Sequence, residues 1–366
     1  MSIDLTKPLK LAPARAWRTY IGGTMLDALH GVPTEGDTNF PEEWIMSVVS
    51  ARNSGREGIV EGISFIEGTD VTLKELIEQH PEDMLGKAHI NRYGITTGVL
   101  VKLIDAGERL TVQVHPTKAA ARELFNSEFG KTECWHILGG RTINGEEPCI
   151  YFGFKPGITR EYWKKCFDEQ DIPSMLGCLH KFPVKTGDTY LIRGGIPHAI
   201  GCGCFLTEIQ EPTDYTVRTE RITPAGLHVS DFMCHQGLGF ERMFDCFVYD
   251  GQGAEETKAS GCLSPKLLRG NEDFREYELV GYGDTSCFMM HRLEIDGKWE
   301  TENSRVFCGL YILSGHGTLR CDDAEYSISA GDQFFIPAVC GSVSITAEPG
   351  QTLTALRNFG PNSCSI

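Results

Sequence analysis

A short stretch that ends at Pro116 alternates apolar and polar residues, and it constrains the fold more than any other feature of the chain. The residues before the proline read LTVQVH, so one face of the predicted strand is apolar and the other presents Thr111, Gln113 and His115. Proline cannot donate a hydrogen bond to a sheet, so the strand ends there. A second apolar run, ECWHIL, begins with Glu133. A buried row of Gln, His and Glu on paired strands is costly unless it is compensated, and a divalent cation is the simplest compensation because all three side chains ligate zinc-like ions.

Further strands and short helices are predicted on both sides of this stretch. GVLVKLIDAGERLTVQVHP predicts two strands joined at Asp105-Ala106-Gly107 as a hairpin. TLKELIEQHPEDML has helical spacing interrupted at Pro81, and residues 158–182 have a helical pattern with Thr159 as N-cap. GDTYLIRGGIPHAIG and LTEIQ predict strands, with His198 directly after a proline. From about residue 274 onward, short strands recur with the spacing of an all-β sandwich or barrel.

The two halves of the chain share a weak internal repeat. ECWHILGG (133–140) aligns with CGLYILSG (308–315), and GDTYLIRGGIPHAI (187–200) aligns with GDQFFIPAVCGSVSI (331–345). In this frame Cys308 stands opposite Glu133, and Ser342 stands opposite His198. Chance similarity between two strand–turn–strand units is the alternative, but two matches in the same order favour duplication. We therefore expect one barrel to carry a site and the other to be mainly structural.

Length and composition limit the class of protein. The 366 residues are enough for two domains, which we place at 1–240 (catalytic and metal-binding) and 265–366 (metal-free). The 50 acidic and 34 basic residues give a net charge of −16, which argues against a nucleic-acid partner. No apolar run has membrane-spanning length and no signal peptide is evident, so a cytoplasmic protein is expected. The 14 cysteines are then expected to be buried reduced thiols.

Four motifs in order, QVHP, GKTECW, GD…PHAIG and EIQEPTD…R, resemble the zinc-dependent type I mannose-6-phosphate isomerase family in its short bacterial form. The resemblance runs from about Trp17 to Arg218 and is weaker in the second half. It implies an all-β fold of two cupin-type jelly-roll barrels with small helical insertions. It also implies interconversion of mannose 6-phosphate and fructose 6-phosphate through an enediol, with one Zn²⁺ per chain, or Mn²⁺ or Co²⁺ in its place. A phosphorylated sugar is then the expected partner, and the oligomeric state is left open.

The resemblance also implies roles for individual residues. The implied metal ligands are Gln113, His115, Glu133 and His198; the implied substrate-binding residues are Lys102, Thr111 and Glu208; and the implied catalytic residues are Lys131 and Arg218.

The sequence leaves the proton-transferring group and the substrate open. His136, Lys131, Glu208 and a zinc-bound hydroxide are candidates for the base, but alternation places His136 on the opposite face from Glu133. The chain departs from the family pattern at positions that border the pocket. These include Val217, directly before Arg218, and the GITTG segment before the strand that contains Lys102. The alternatives are therefore an isomerase of a different sugar, or a non-catalytic cupin that binds a sugar or sugar phosphate as a sensor.

Overall fold

Four antiparallel sheets form two β-barrels that lie one after the other along the chain. The computed structural model describes residues 3–51, 53, 55–301 and 305–363. In the first barrel, a seven-stranded sheet faces a five-stranded sheet, and in the second a seven-stranded sheet faces a four-stranded sheet. The prediction of an all-β protein with two barrels and small helical insertions is confirmed.

The strands of the first half are β1 (Leu9–Leu11), β2 (Arg15–Ala16), β3 (Glu42–Ile45), β4 (Leu100–Asp105), β5 (Gln113–Val114), β6 (Glu133–Gly140), β7 (Cys149–Phe154), β8 (Leu179–Pro183), β9 (Thr189–Ile192), β10 (His198–Ile200), β11 (Cys204–Gln210), β12 (Val217–Arg218) and β13 (Cys262–Leu263). The first barrel pairs these strands in the orders β13-β9-β6-β11-β4-β3-β2 and β12-β5-β10-β7-β8. Strand β1 is the exception, because it pairs with a strand of the second barrel.

The strands of the second half are β14 (Lys266–Gly270), β15 (Phe274–Val280), β16 (Met289–Ile295), β17 (Lys298–Thr301), β18 (Cys308–Ser314), β19 (His316–Cys321), β20 (Ala324–Ser329), β21 (Gln333–Ile336), β22 (Val343–Ala347) and β23 (Leu353–Phe359). The second barrel pairs them in the orders β1-β21-β18-β23-β16-β15-β14 and β17-β22-β19-β20. The domain limits at 240 and 265 stay a prediction, and the N-terminal strand crosses them.

Short helices fill the connections between strands. They are α1 (Thr24–Leu29), α2 (Leu73–Gln79), α3 (Pro81–Leu85), α4 (Lys87–Tyr93), α5 (Lys118–Phe125), α6 (Arg160–Glu169), α7 (Ile172–Gly177), α8 (Asp231–His235), α9 (Gly239–Arg242) and α10 (Ala254–Gly261), with a 3₁₀ turn at Met243–Cys246. The Thr159 hydroxyl caps α6 by accepting a hydrogen bond from the Tyr162 N–H, as predicted. The helical pattern predicted as far as residue 182 is wrong at its end: Gln170 adopts a left-handed conformation that stops α6, and the last residues pair with β7 as a strand.

The predicted hairpin between β4 and β5 is wrong. Strand β4 pairs with β3 and β11, whereas β5 pairs with β10 and β12 in the facing sheet. The chain leaves one sheet after Asp105, whose carboxylate accepts hydrogen bonds from the N–H groups of Gly23 and Met25, and enters the other. This crossover carries Gln113 and His115 to the opposite wall of the barrel.

The internal repeat is present in the strand pairing. Glu133 stands opposite Ile192 between β6 and β9, and Cys308 stands opposite Ile336 between β18 and β21. The central order β9-β6-β11-β4 of the first barrel corresponds to β21-β18-β23-β16 of the second. The predicted alignment of Glu133 with Cys308 therefore holds, whereas that of His198 with Ser342 stays a prediction.

An apolar cluster joins the two barrels through their seven-stranded sheets. Cys134 and Leu191 of the first sheet and Tyr311 and Leu356 of the second belong to this cluster, and all four are fully buried. The described cysteines are free thiols, of which all but Cys262 are buried. Among the described residues, the helices are too short or too polar to span a bilayer.

Candidate metal centre and pocket

The four predicted ligands come from opposite walls of the first barrel, and Gln113 begins β5. His115 directly follows β5, His198 begins β10, and Glu133 begins β6. Strands β5 and β10 are neighbours, with Gln113 opposite His198, whereas β6 belongs to the facing sheet. The four side chains therefore converge inside the barrel between its two sheets.

The distances among these side chains suit a single small cation. His115 Nε2 lies 2.9 Å from Glu133 Oε1, His198 Nε2 lies 3.8 Å from Glu133 Oε2, and the two imidazole centroids are 4.8 Å apart. Ligands at the corners of a tetrahedron with bonds of about 2.1 Å are about 3.4 Å apart. The Gln113 amide nitrogen lies 3.3 Å from His198 Nε2, so its carboxamide is within reach of the same point.

Backbone carbonyls fix both imidazoles in the tautomer that a metal ligand requires. Nδ1 of His115 donates to the carbonyl of Tyr215 at 2.9 Å, and Nδ1 of His198 donates to the carbonyl of Ile196 at 2.8 Å. The lone pair of each neutral ring is then on Nε2, which faces Glu133. Burial lowers the pKa of His115 to about 3 and also lowers the pKa of His198, so both rings are neutral at pH 7.

The environment of Glu133 shows why this cluster of side chains suits a bound cation. It is fully buried, and neither carboxylate oxygen takes part in a hydrogen bond of normal geometry within the described structure, although Lys131 Nζ lies 3.0 Å from Oε1. Burial opposes ionisation, but the Lys131 ammonium outweighs it and holds the pKa of Glu133 well below its usual value. A buried carboxylate with unmatched lone pairs beside two neutral imidazoles has the donor set of a divalent metal site. In the part of the chain that the structure describes, His115, Glu133 and His198 are the one such cluster.

A polar pocket adjoins the metal centre. It contains every remaining predicted site residue: its walls include Lys102, Thr111, Gln113, Lys131, Glu208 and Arg218.

The pocket floor is a buried ion pair tied to an indole. Lys102 Nζ donates to Glu208 Oε1 at 2.9 Å, and Trp135 Nε1 donates to Glu208 Oε2 at 3.0 Å. Burial, together with the nearby Glu133 carboxylate, raises the pKa of Glu208. Trp135 thus shares the face of Glu133, as the alternation predicted. His136 points to the opposite face of β6, and its Nδ1 lies 2.8 Å from the Thr189 hydroxyl of the neighbouring strand β9, so it lies outside the site.

The N-terminal segment contributes pocket residues that sequence reasoning missed. Arg18, Tyr20 and Glu42 line the pocket. The Glu42 carboxylate accepts hydrogen bonds from the Tyr20 hydroxyl at 2.6 Å and from Trp44 Nε1 at 2.7 Å. Arg18 Nε lies 3.2 Å from the same carboxylate. Nη1 of Arg18 is buried without a hydrogen-bond partner among the described residues. The alternation of Glu42 and Trp44 was the one local signal in this segment. It did not indicate that the segment reaches the pocket.

Two family models match separate parts of the chain. The catalytic domain of type I phosphomannose isomerase matches residues 37–131, and the cupin domain of mannose-6-phosphate isomerase matches residues 282–352. The mannose-6-phosphate isomerase ManA of Bacillus subtilis (strain 168) is 29% identical over 340 residues, which cover 93% of this chain and 96% of ManA.

Solved structures share the whole fold. The mannose 6-phosphate isomerase of Bacillus subtilis superimposes with a TM-score of 0.72 at 23% identity, over 96% of this chain and 99% of that chain. A mannose 6-phosphate isomerase crystallised with zinc and yttrium superimposes with a TM-score of 0.68 at 16% identity, over 96% of this chain and 99% of the other.

The fold and the His-Glu-His cluster define a metal-binding protein of two cupin-type barrels. Within this class, the matches to both family models and to relatives along nearly the whole chain make this chain similar to the type I mannose-6-phosphate isomerases.

Proposed function

We propose that this protein interconverts mannose 6-phosphate and fructose 6-phosphate as a metal-dependent aldose–ketose isomerase. The observation that carries the proposal is the buried cluster of His115, Glu133 and His198, which opens onto a pocket lined by lysine and arginine. Mannose 6-phosphate comes from the names of the relatives along 93% of the chain, and fructose 6-phosphate is what the family resemblance implies as its partner in the reaction.

We assign Gln113, His115, Glu133 and His198 as ligands of Zn²⁺, while Mn²⁺ and Co²⁺ accept the same donors. A ligand set of nitrogen and oxygen atoms beside an open pocket is typical of a catalytic zinc site. When bound, the ion would act as a Lewis acid toward the oxygens at C1 and C2 of the sugar, a contribution of several kcal/mol.

Positively charged side chains of the pocket are assigned to stabilise the negative charge that develops on the sugar oxygens during isomerisation. Arg218 lies beside Gln113 on the neighbouring strand, and its Nη1 is held by the carbonyls of Thr216 and Met233, both at 3.2 Å. This contact orients the guanidinium, so its remaining N–H groups are preorganised to stabilise an enediolate oxygen. Lys102 and Thr111 are assigned to substrate binding, with Glu208 fixing Lys102 in place.

Isomerisation also requires a group that carries a proton between C1 and C2. Lys131 is the lysine nearest the metal ligands, with Nζ 3.3 Å from His115 Nε2 and 3.4 Å from the Thr216 hydroxyl. We assign the proton transfer to Lys131, which would accept the C–H proton as the neutral amine and return it to the neighbouring carbon as the ammonium. The pocket leaves a cavity of about 40 Å³ between its lining side chains.

The function is tested on one preparation by elemental analysis and by incubation with mannose 6-phosphate in D₂O. We expect one metal ion per chain, formation of fructose 6-phosphate, and deuterium at C2 of recovered mannose 6-phosphate. A metal-loaded protein that binds the sugar without exchange or conversion would instead be the sensor. Conversion restricted to another aldose phosphate would retain the mechanism and change the substrate.

Replacing Arg218 separates the chemistry from metal binding. Arg218→Ala should lower kcat by about 10²–10³-fold, as expected for loss of one preorganised donor, and leave the metal content unchanged. Arg320→Ala, which removes an exposed arginine paired with Glu325 in the second barrel, is the control and should keep wild-type kcat. Unchanged turnover in Arg218→Ala would remove this residue from the mechanism.

A further inference from the structure

The second barrel contains a cavity at the place that corresponds to the metal centre. Cys308 takes the register position of Glu133, as the pairing with Ile336 shows. Arg357, opposite Leu310, takes the position of Glu208, which stands opposite Trp135 in the first barrel. The repeat has thus replaced two carboxylates by a thiol and a guanidinium.

The walls of this cavity are mostly apolar. It measures about 290 Å³ and lies between the two sheets of the second barrel, with Met289, Trp299, Cys308, Leu310, Arg357 and Phe359 among its lining residues. Small-molecule sites start at about 300 Å³, so there is room for a ligand of on the order of ten non-hydrogen atoms. The walls lack imidazole and carboxylate groups among the described residues, so the donor set of a metal site is absent there.

Charge at one end of the cavity favours an anion. Glu276 is buried and accepts hydrogen bonds from Arg269 Nε at 2.7 Å, from His291 Nδ1 at 2.9 Å, and from Arg357 Nη1 and Trp299 Nε1 at 3.1 Å each. A single carboxylate therefore faces two guanidinium groups, which leaves a net positive charge next to the apolar walls. A partly enclosed positive charge of this kind is stabilised by an anionic partner.

Arg357 is oriented for such a partner. Its guanidinium carbon lies 5.0 Å from the Trp299 ring centroid and 4.8 Å from that of Phe359. One N–H is used by Glu276 and the Cys308 thiol lies alongside. Its other N–H groups have no oxygen acceptor within the described ranges, although the side chain is only 15% exposed.

We propose that the second barrel binds a small carboxylic acid with an apolar or aromatic body, its carboxylate on Arg357 and its hydrocarbon part against Trp299, Leu310 and Phe359. A carboxylate matches the planar guanidinium through two parallel hydrogen bonds. A sugar phosphate is a poor occupant, because the apolar walls would leave its hydroxyl groups without hydrogen-bond partners. This site is separate from the metal centre and does not depend on the proposed isomerase activity.

In the test, metal-loaded protein is titrated with 3-phenylpropionate, and binding is measured by ligand-detected NMR. We expect a Kd of about 0.1–1 mM for this fragment-sized acid, and binding at least about tenfold weaker for the uncharged 3-phenylpropanamide. Arg357→Met should weaken the acid by at least about tenfold, whereas Arg218→Met, the matched change in the first barrel, should leave its Kd within about twofold.

A cavity-filling change keeps the test decisive if Arg357→Met does not fold. Val343→Phe adds volume at the cavity wall and leaves every charge in place, so it too should weaken 3-phenylpropionate by at least about tenfold. Equal affinity for the acid and the amide, wild-type affinity in Val343→Phe, or loss of binding in Arg218→Met instead would each overturn the proposal. Absence of binding at about 10 mM probe, about tenfold above the weakest Kd expected, would also overturn it.

Discussion

His115→Ala is expected to lose the metal ion and about 10³-fold or more of turnover in the same variant. In the proposed site the imidazole is one of four ligands, and its loss leaves Glu133 buried with fewer partners. Removing a second-layer partner of a metal ligand already costs about 10–100-fold in affinity, so removing a ligand costs at least that much. The several kcal/mol that the ion contributes corresponds to about 10³-fold in rate at 1.36 kcal/mol per factor of ten. Elemental analysis and kcat should be measured on the same sample.

His136→Gln is the matched control for this prediction. His136 is also a buried histidine of the first barrel, but its ring lies on the opposite face of β6 and contacts the Thr189 hydroxyl of β9. Its metal content should equal that of the wild type. A His115→Ala protein that keeps a full complement of metal and wild-type turnover would contradict the assignment of the site.

The convergence of the proposed ligands was predictable because these residues carry their own local signals. Gln113 and His115 share a strand face two residues apart, and Glu133 and His198 occur where the repeated frame changes residue type. Strand alternation also separated Trp135 from His136 correctly. In each case the information lies within a few residues of one strand, where the two-residue period decides which side chain faces the barrel interior.

The parts that the sequence did not predict depend on contacts between distant segments. The residues after Asp105 have the composition of a hairpin turn, but the barrel closes by sending the chain to the other sheet, and local turn propensity does not encode that choice. Arg18 and Glu42 reach the pocket only because β2 and β3 extend the same sheet as β4. Strand β1 likewise joins the second barrel through long-range pairing.

Lys102→Met is expected to lower the free energy of unfolding by about 3–5 kcal/mol, because it leaves the Glu208 carboxylate buried without its cation. Both side chains of this pair are 4% exposed and 2.9 Å apart. An exposed ion pair contributes only about 0–1 kcal/mol, so Lys74→Met, which removes the exposed i,i+4 pair of α2 with Glu78, is the matched control and should change stability by less than about 1 kcal/mol. Urea unfolding followed by tryptophan fluorescence measures both variants.

The double variant Lys102→Met/Glu208→Gln distinguishes a charge effect from a packing effect. A glutamine at position 208 can still accept the Trp135 N–H through its carbonyl oxygen, but it carries no charge that needs Lys102. The loss in free energy of unfolding of the double variant should therefore be about 0.5–3 kcal/mol smaller than the sum of the two single-variant losses. If the two single losses add, the pocket floor is held by packing of the side chains and not by the ion pair. If they do not add, Glu208 is present in the pocket chiefly as the fixed counter-charge that keeps Lys102 extended toward the substrate.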